Sequence, residues 1–474
     1  TVEDCWLISP VSVLIQRDEE LIKSLFITKE LSPDGAYHIR LCKDGVWTTV
    51  LIDDFVPCTN GHLHYANVER KQMWLPLLQK AAAKLYRCYE SLDFGLLTEG
   101  FSLLTDAPCE IVYLQPISYE NHIINYFLIF RLLSNKRSLN PMVISSDTNL
   151  TKLEESEYES RGLRSNHLYA VLDVREINGD RLIKLREPCG LKTWTGDWSN
   201  NSHRWTPSLK KQLLANDTRK GVFWIGFQDI LKYFFAVGVC KMRKGWTKTR
   251  FIGTFRVFEN QELSGISFDV TEQMEIDFVL HQENQRYKEV AERHHMDISM
   301  AIFRKVSSCP PRYDIVGFGK RTLHPILYHT QTFEYGKYIL VPMSFNYCSL
   351  DDIIDPSLSN LTLRDVMVSV IKRNGKVMHV YDEKVQVCTL NRLFCGIAVL
   401  VENYSTDQHV HIKFDTTDGF NIVSSRGDTK TTVDSVPPQH GQLIGIYTQR
   451  NSEEAFSSKN NTKCKLSDNS ELGN

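Results

Sequence analysis

A thiol and an imidazole stand where they could form the reacting pair of a cysteine hydrolase. Cys5 begins a segment whose apolar residues recur at helical spacing. Its thiol is therefore expected at a helix N-terminus, where the helix-end positive charge favours the thiolate. A thiolate nucleophile needs a histidine that is near in space but not in sequence. His167 follows a loop at Gly162 and opens a strand-like run, 167–174. The two residues predict a catalytic dyad.

A third group is expected to orient the histidine ring from a neighbouring strand. The run 182–185 is also strand-like and Glu187 follows it, so its carboxylate would lie beside His167. Each part also has a purely structural interpretation. A cysteine at a helix start is more often a buried packing residue, and a glutamate at a strand end is more often a solvated charge. Spacing alone leaves both interpretations open.

The elements that would position these residues follow from the periodicity of the apolar residues. Helical spacing predicts one helical segment over 6–26, interrupted at Pro10 and Asp18, and another over 73–89. Between them, two strand-like runs flank Asp44-Gly45, which is a hairpin signal. Residues 1–115 are therefore predicted to form a helix-rich lobe that carries Cys5.

The remaining chain changes character twice. Short strand-like runs predict a mixed α/β lobe with His167 over 116–243. From 244 to 449 the helix signal fades, and short β-rich runs between turn signals, such as 366–371, predict a β-sandwich. The tail 450–474 is rich in Ser, Asn, Lys and Glu, so we expect it to be disordered.

Composition and charge exclude several classes of protein. With 42% hydrophobic and 24% charged residues, the 474-residue chain is globular rather than fibrous or wholly disordered. Its 55 basic and 57 acidic residues give a net charge of −2, which indicates no nucleic-acid or acidic-membrane partner. The most apolar helical stretch, 126–133, is broken by Arg131, so no transmembrane segment is expected. The twelve scattered cysteines predict reduced thiols in a cytoplasmic protein.

Several short blocks of this sequence resemble the calpain family of cysteine proteases. The blocks are Asp4-Cys5-Trp6-Leu7, Thr98-Glu99-Gly100-Phe101, Trp194-Thr195-Gly196-Asp197-Trp198 and Gly221-Val222-Phe223-Trp224. A narrower likeness, to the small optic lobes branch, is carried by Arg40-Leu41-Cys42-Lys43-Asp44-Gly45, Gly162-Leu163-Arg164 with His167-Leu168-Tyr169, and Asp434-Ser435-Val436-Pro437-Pro438. The resemblance runs in order over residues 1 to 448, and the chain begins inside the cysteine motif.

The resemblance implies an α+β fold: a papain-like, two-lobed protease core followed by an all-β sandwich domain. Cys5 would be the nucleophile, His167 the base and then the acid, and Glu187 a substitute orienting group. Calpains carry out limited cleavage of cytosolic proteins, so protein substrates and protein partners on the β-sandwich are expected.

This chain departs from the family pattern around the site. Calpains have Asn-Pro-Trp-Gly where this chain has Glu187-Pro188-Cys189-Gly190, so the orienting amide becomes a longer carboxylate and the shielding tryptophan becomes a cysteine. Pro10 lies inside the Cys5 helix, where it could kink or shorten the helix. The family glutamine of the oxyanion hole would precede Thr1, and Glu3 replaces the usual glycine. Glu187, Cys189 and Pro10 support an alternative function, a catalytically weak or inactive calpain-fold scaffold that binds protein partners through its β-sandwich.

The resemblance also implies two Ca²⁺ sites in the protease core. Glu99 matches one ligand of the first-lobe site. The family's acidic ligands at the second-lobe site correspond here to Thr193, Asn200, Lys220 and Val222. Lysine and valine cannot replace carboxylates around a hard cation, so that second site is predicted to be lost.

Overall fold

The computed structural model describes the chain except residues 1–3, 66–71, 115–120, 215–218, 254–264, 287, 289–295, 309–310, 345–362, 392–395, 428, 450–455 and 469–474. The chain forms two compact units. The first comprises Thr1–Thr247 with Arg286–Arg293, and the second comprises Lys248–Gln285 with His294–Asn474. The predicted boundary between the two protease lobes lies inside the first unit. The predicted domain limits themselves remain predictions.

The described residues in the first part of the first unit form helices and two antiparallel strand pairs. The helices are α1 (Cys5–Arg17), α2 (Glu19–Leu25), α3 (Trp74–Leu85) and α4 (Glu99–Thr105), and the strand pairs are β1 (Ala36–Lys43) with β2 (Val46–Asp53) and β3 (Cys58–Thr59) with β4 (His62–Leu63). As predicted, the helical segment breaks at Asp18, and β1 and β2 pair antiparallel on either side of Asp44-Gly45. Both turn residues have positive φ, which Asp and Gly tolerate.

The predicted interruption at Pro10 is wrong, because helix α1 continues through this residue. The proline lacks the N–H that would bond to the carbonyl of Trp6, yet the helix runs on to Arg17. Gly100 of α4 packs so closely against this carbonyl that a Cβ there would overlap it. The proline therefore does not shorten the helix that begins at Cys5, and the site of the missing bond is covered by α4.

The second part of the first unit is built on a six-stranded antiparallel sheet in the order β5-β10-β6-β7-β8-β9. Its strands are β5 (Cys109–Tyr113), β6 (Met142–Ser145), β7 (Leu168–Ile177), β8 (Asp180–Arg186), β9 (Val222–Gly226) and β10 (Ala236–Cys240). The helices of this part are α5 (Asn121–Arg137), α6 (Thr148–Thr151), α7 (Glu155–Ser160), α8 (Pro207–Leu214) and α9 (Phe227–Tyr233). Strands β7 and β8 are neighbours, as predicted, and pair antiparallel; His167 directly precedes β7 and Glu187 directly follows β8.

The second unit is dominated by β-structure. Its first strands are β11 (Ile266–Val270), β12 (Met274–His281), β13 (Ile298–Ser308), β14 (Pro311–Thr322), β15 (Ile326–Phe333) and β16 (Gly336–Ser344). Its later strands are β17 (Lys376–Val380), β18 (Val385–Leu390), β19 (Gly396–Asn403), β20 (His409–Asp415), β21 (Ile422–Ser424), β22 (Thr431–Val436), β23 (Gly441–Gln449) and β24 (Asn461–Ser467). The later strands form a five-stranded and a three-stranded sheet, β17-β18-β19-β23-β21 and β22-β20-β24.

One predicted β-run in this unit is a helix. Residues 366–371 lie in α10 (Leu363–Asn374), where Val366, Met367, Val370 and Ile371 are fully buried. Their spacing places them on one helical face, which packs into an apolar cluster with strands of the same unit. β-branched residues favoured the strand interpretation, but the period of burial is helical.

The prediction of a disordered tail is wrong for Asn461–Ser467. This segment is β24, and it pairs antiparallel with β20. Cys464 and Leu466 pack against a buried cluster of the second unit, whereas Lys463 and Lys465 are exposed. An edge strand buries only alternate side chains, so its composition stays polar although it is ordered. Among the described residues, no helix is long and apolar enough to span a membrane.

Candidate active site

Cys5 is the first residue of α1, as the sequence predicts. The carbonyl of Asp4 accepts hydrogen bonds from the backbone N–H groups of Leu7 (2.9 Å) and Ile8 (3.1 Å), which starts the helix immediately before Cys5. Cys5 is partly exposed, whereas the next residue, Trp6, is fully buried. The core therefore anchors the helix start through Trp6 and leaves Cys5 partly exposed.

Helix α1 packs against the start of β7. Ser9 lies one helical turn after Cys5 and donates its hydroxyl hydrogen to the carbonyl of Leu168, at 2.8 Å. Residues four apart share one face of a helix, so the face that carries Cys5 borders this strand. His167 immediately precedes Leu168. The fold thus joins the cysteine helix to the histidine strand by a buried hydrogen bond.

Ser146 binds both the backbone N–H and the backbone carbonyl of His167. The N–H of His167 donates to the hydroxyl of Ser146 at 3.1 Å, and its carbonyl accepts from the N–H of Ser146 at 3.0 Å. The Ser146 hydroxyl in turn donates to the carbonyl of Arg164 at 2.9 Å. The edge of one ring meets the face of the other between His167 and Tyr169, with 5.4 Å between ring centroids. These contacts fix where the imidazole leaves the strand.

Glu187 lies beside the imidazole and is fully buried. Its Oε1 is 3.2 Å from Nε2 of His167, a close contact whose angle falls short of an aligned hydrogen bond. Its Oε2 accepts from the backbone N–H of Leu191 at 2.9 Å. The interpretation of Glu187 as a solvated strand-end charge is therefore wrong, because none of its surface is exposed.

The surroundings of Glu187 favour its charged form. Burial by itself would raise the pKa of this carboxyl, because desolvation penalises charge. The His167 ring and the backbone N–H groups of Leu191 and Cys189 outweigh burial and lower the pKa from 4.5 to about 2. Glu187 is thus a carboxylate throughout the neutral pH range and faces the histidine ring.

Arg164 and Cys189 border the carboxylate. Nη1 of Arg164 lies 3.7 Å from Oε1 of Glu187 and 3.7 Å from Sγ of Cys189. Desolvation and the negative charge of Glu187 raise the pKa of the Cys189 thiol to about 11, and Asp4 adds to this effect. Cys189 therefore stays protonated at neutral pH and is a poor nucleophile. The sequence contained Arg164 in a family-like block but gave no signal that it approaches Glu187.

Asp4 is a second titratable group beside Cys5 that the sequence did not single out. Its Oδ2 accepts a hydrogen bond from the amide of Gln79, a buried residue of α3. Desolvation raises the pKa of Asp4 to about 6, although the bond from Gln79 opposes the shift. The charge next to the nucleophile position therefore changes just below neutral pH.

Glu99, the predicted first-lobe Ca²⁺ ligand, forms an ion pair with Arg286. Nε and Nη2 of Arg286 donate to its two carboxylate oxygens at 2.6 and 2.8 Å. A guanidinium in this position repels a divalent cation and takes the oxygens that the cation would need, so the residues at Glu99 do not fit Ca²⁺. Within the described parts of the chain, no group of three His, Cys, Asp or Glu side chains could hold a metal ion.

The residues at the predicted lost second-lobe site make protein contacts of another kind. The amide of Asn200 donates to the carbonyl of Val222 at 3.5 Å, a long hydrogen bond. Lys220 is exposed. The prediction that this position has lost its ligand set follows from the residue types alone.

Comparison with known proteins places these observations in a family. Residues 1–241 match the model described as calpain family cysteine protease, and residues 370–470 match one described as calpain-D-like, C-terminal domain. The chain is 31% identical over 243 residues to the maize calpain-type cysteine protease DEK1, which covers 50% of this chain and 11% of that protein.

Conventional calpains match over a similar stretch. The catalytic subunits of calpain-2 from chicken and human are 29% and 28% identical over 273 and 272 residues. Each match covers 53% of this chain and 38% of the calpain-2 subunit. The chain therefore matches well under two thirds of the length of these relatives.

Proposed function

The chain belongs to the calpain family of cysteine proteases, and from this premise we propose that it is an intracellular cysteine endopeptidase. In this proposal Cys5 is the nucleophile, His167 is the general base and then the general acid, and Glu187 orients the imidazole. The observation that carries the proposal is the buried carboxylate of Glu187, 3.2 Å from Nε2 of His167. A buried carboxylate facing a histidine ring is the arrangement that a triad requires of its third member.

The reaction follows from these roles. His167 takes the proton of the Cys5 thiol, and the thiolate attacks the carbonyl carbon of a peptide bond to give a tetrahedral intermediate. The intermediate collapses as the imidazolium gives its proton to the leaving amine, which leaves an acyl group on Cys5. Water then attacks this thioester with His167 again as base, and the acid product leaves while the thiol is restored.

Glu187 changes the balance of the family's site. A neutral asparagine only accepts a hydrogen bond from the imidazole, whereas a carboxylate also stabilises the imidazolium by its charge. Because the thiolate–imidazolium pair is the reactive form, a carboxylate here favours that form. The same charge also holds the proton more firmly on the ring when the leaving amine must receive it.

Protein substrates cut at limited sites in the cytoplasm fit the family and are proposed here for this chain. The C-terminal match also suggests partner proteins at the β-rich second unit. No nucleic-acid partner is proposed, since the chain carries nearly equal numbers of basic and acidic residues.

One observation favours the alternative function of a catalytically weak scaffold. Arg164 approaches the same Oε1 atom of Glu187 that faces His167. A cation that shares this oxygen weakens the hold of the carboxylate on the imidazolium. In addition, Cys189 is exposed at the position where calpains carry a shielding tryptophan.

Cleavage of a peptide library separates the two functions. The chain is incubated with peptides derived from a cytosolic proteome, and new N-termini are identified by mass spectrometry beside Cys5→Ala and His167→Ala. New termini that are absent with both variants support the endopeptidase. An identical set of termini for all three proteins would contradict it and favour the scaffold.

A further inference from the structure

Arg286 belongs to the first unit, although it lies beyond residues 1–241, which match the calpain protease family. It is buried, and its guanidinium makes a two-point ion pair with Glu99, which is also buried. Two parallel bonds between a guanidinium and a carboxylate fix both distance and plane. The ion pair therefore ties a late segment of the chain to the start of α4.

The remaining donors of Arg286 bind a loop next to the candidate site. Nη1 donates to the carbonyl of Ser91 at 2.8 Å and to that of Asp93 at 3.3 Å. All three guanidinium nitrogens are thus engaged by protein oxygens. Carbonyls and a carboxylate around one positive centre are the kind of oxygen cage that also suits a hard metal cation.

The guanidinium also covers the residue that follows the nucleophile. Its central carbon lies 4.2 Å from the centroid of the Trp6 ring, which is a cation–π contact in a buried setting. The indole N–H of Trp6 donates to the carbonyl of Leu92 at 2.7 Å, between the two carbonyls that Arg286 binds. Trp6 is therefore fixed both at its ring face and at its N–H.

Gly95 shows how closely this cluster is packed. A Cβ at Gly95 would overlap the Trp6 ring and the guanidinium of Arg286. The backbone at Gly95 therefore lies directly against both side chains. Because Trp6 is the neighbour of Cys5 in the first turn of α1, a shift of its ring would move the thiol.

We propose that Arg286 is a positioning residue of the Cys5 site and acts as the fixed cation of the first lobe, in place of an exchangeable metal ion at Glu99. The guanidinium neutralises the buried carboxylate and holds Trp6, and through it the first turn of α1. Arginine suits this role because it remains charged when buried and presents its donors in a rigid plane. The role rests on the proposed function in that Cys5 is the nucleophile.

The test measures the rate at which iodoacetamide alkylates Cys5 in the full chain, by mass spectrometry of the Cys5 peptide from pH 4 to 9. We expect Arg286→Gln to slow the reaction at least about tenfold, as misplacement of a reacting group does. Arg286→Lys keeps the positive charge but loses the two-point contact with Glu99, so its alkylation rate should lie between those of the wild type and Arg286→Gln. Arg175→Gln, which removes an exposed arginine paired with Asp173, is the matched control and should leave the rate unchanged.

Two further proteins separate positioning from a loss of folding. Guanidinium ion at millimolar concentration should restore much of the rate to Arg286→Ala, whereas urea, its neutral analogue, should not. The double variant Glu99→Gln/Arg286→Gln leaves no buried unpaired charge and should fold, yet it should remain slow because Trp6 has lost its cover. A rate for the folded double variant equal to that of the wild type would overturn the inference.

A separate measurement tests whether Arg286 takes the place of a metal ion. The wild-type rate should be the same in Ca²⁺ and in EDTA, and a Ca²⁺ stimulation of more than about threefold would overturn the fixed-cation role. Wild-type reactivity that does not depend on His167 would refute the proposed function. Reactivity that depends on His167 but not on Arg286 would refute the inference alone.

Discussion

Replacing Glu187 by Gln should lower the reactivity of Cys5 at neutral pH. Glutamine has nearly the same shape and can still accept a bond from the ring, so the change removes chiefly the charge. The imidazolium of His167 loses its stabilising partner, and the thiolate–imidazolium pair becomes less favourable relative to the neutral pair. The alkylation rate of Cys5 at neutral pH should therefore fall, because less of its thiol is present as thiolate.

The size of this effect follows from the pKa of Glu187. Its pKa falls from 4.5 to about 2, and this fall corresponds to a preference for the charged form of about 3 kcal/mol. Burial opposes this preference, and His167 and two backbone N–H groups produce it. The stabilisation between two groups is mutual, so a share of about a third to a half for His167 lowers the population of the thiolate–imidazolium pair by about tenfold when the carboxylate is removed.

The assay is the iodoacetamide rate at Cys5, followed from pH 4 to 9 on the peptide that contains it. Glu176→Gln is the matched control, because it removes the same charge from the far end of β7, about 30 Å from His167. Its profile should superimpose on that of the wild type. A Glu187→Gln profile that also superimposes on the wild type would refute the role of the carboxylate, because the ring would then not sense its charge.

Three further predictions concern Asp4, Cys189 and Leu466. Because burial raises the pKa of Asp4 from 3.8 to about 6, the folded state holds this proton more tightly, and stability falls as pH rises through that window. Asp4→Asn should therefore be more stable than the wild type at pH 7.5, by about 1–3 kcal/mol, and equally stable below pH 4. Urea unfolding of the full chain, followed in the first unit, measures this difference. Equal stability at pH 7.5 would contradict the burial of this charge. Cys189→Ser should leave the alkylation rate of Cys5 within about twofold of the wild type, because the raised pKa keeps the Cys189 thiol protonated. Faster alkylation of Cys189 than of Cys5 in the wild type would contradict this prediction. Leu466→Asp should destabilise the second unit by about 2–3 kcal/mol in thermal unfolding. Lys465→Asp, which changes an exposed side chain, should leave the stability unchanged. Equal destabilisation by the two substitutions would contradict the pairing of β24 with β20.

The local elements of the first unit could be predicted because their signals are local. Apolar spacing predicts α1 and α2 with the break at Asp18, and the Asp44-Gly45 turn predicts the hairpin. Residues 366–371 were misassigned because β-branched side chains outweighed a helical period in a short run. The strand in the tail was missed because an edge strand with alternating lysines has the composition of a disordered segment.

Only part of the candidate site could be predicted from the sequence. The positions of Cys5 at a helix start and His167 at a strand start follow from neighbouring residues. The complete burial of Glu187 does not, because Gly221, whose carbonyl accepts from the N–H of Glu187, is distant in sequence and approaches it only in the folded protein. Arg286 could not have been identified, since its partner Glu99 is far away in the sequence and no motif connects the two.

The most direct test of the central claim is intact-mass labelling with an epoxide inhibitor of papain-like proteases. The wild-type chain should gain one adduct, mapped to Cys5, and both Cys5→Ala and His167→Ala should lose it. This result would show that the thiol is activated by the histidine despite the carboxylate at position 187. Adducts spread over several cysteines, or a Cys5 adduct that persists in folded His167→Ala, would contradict the proposed dyad.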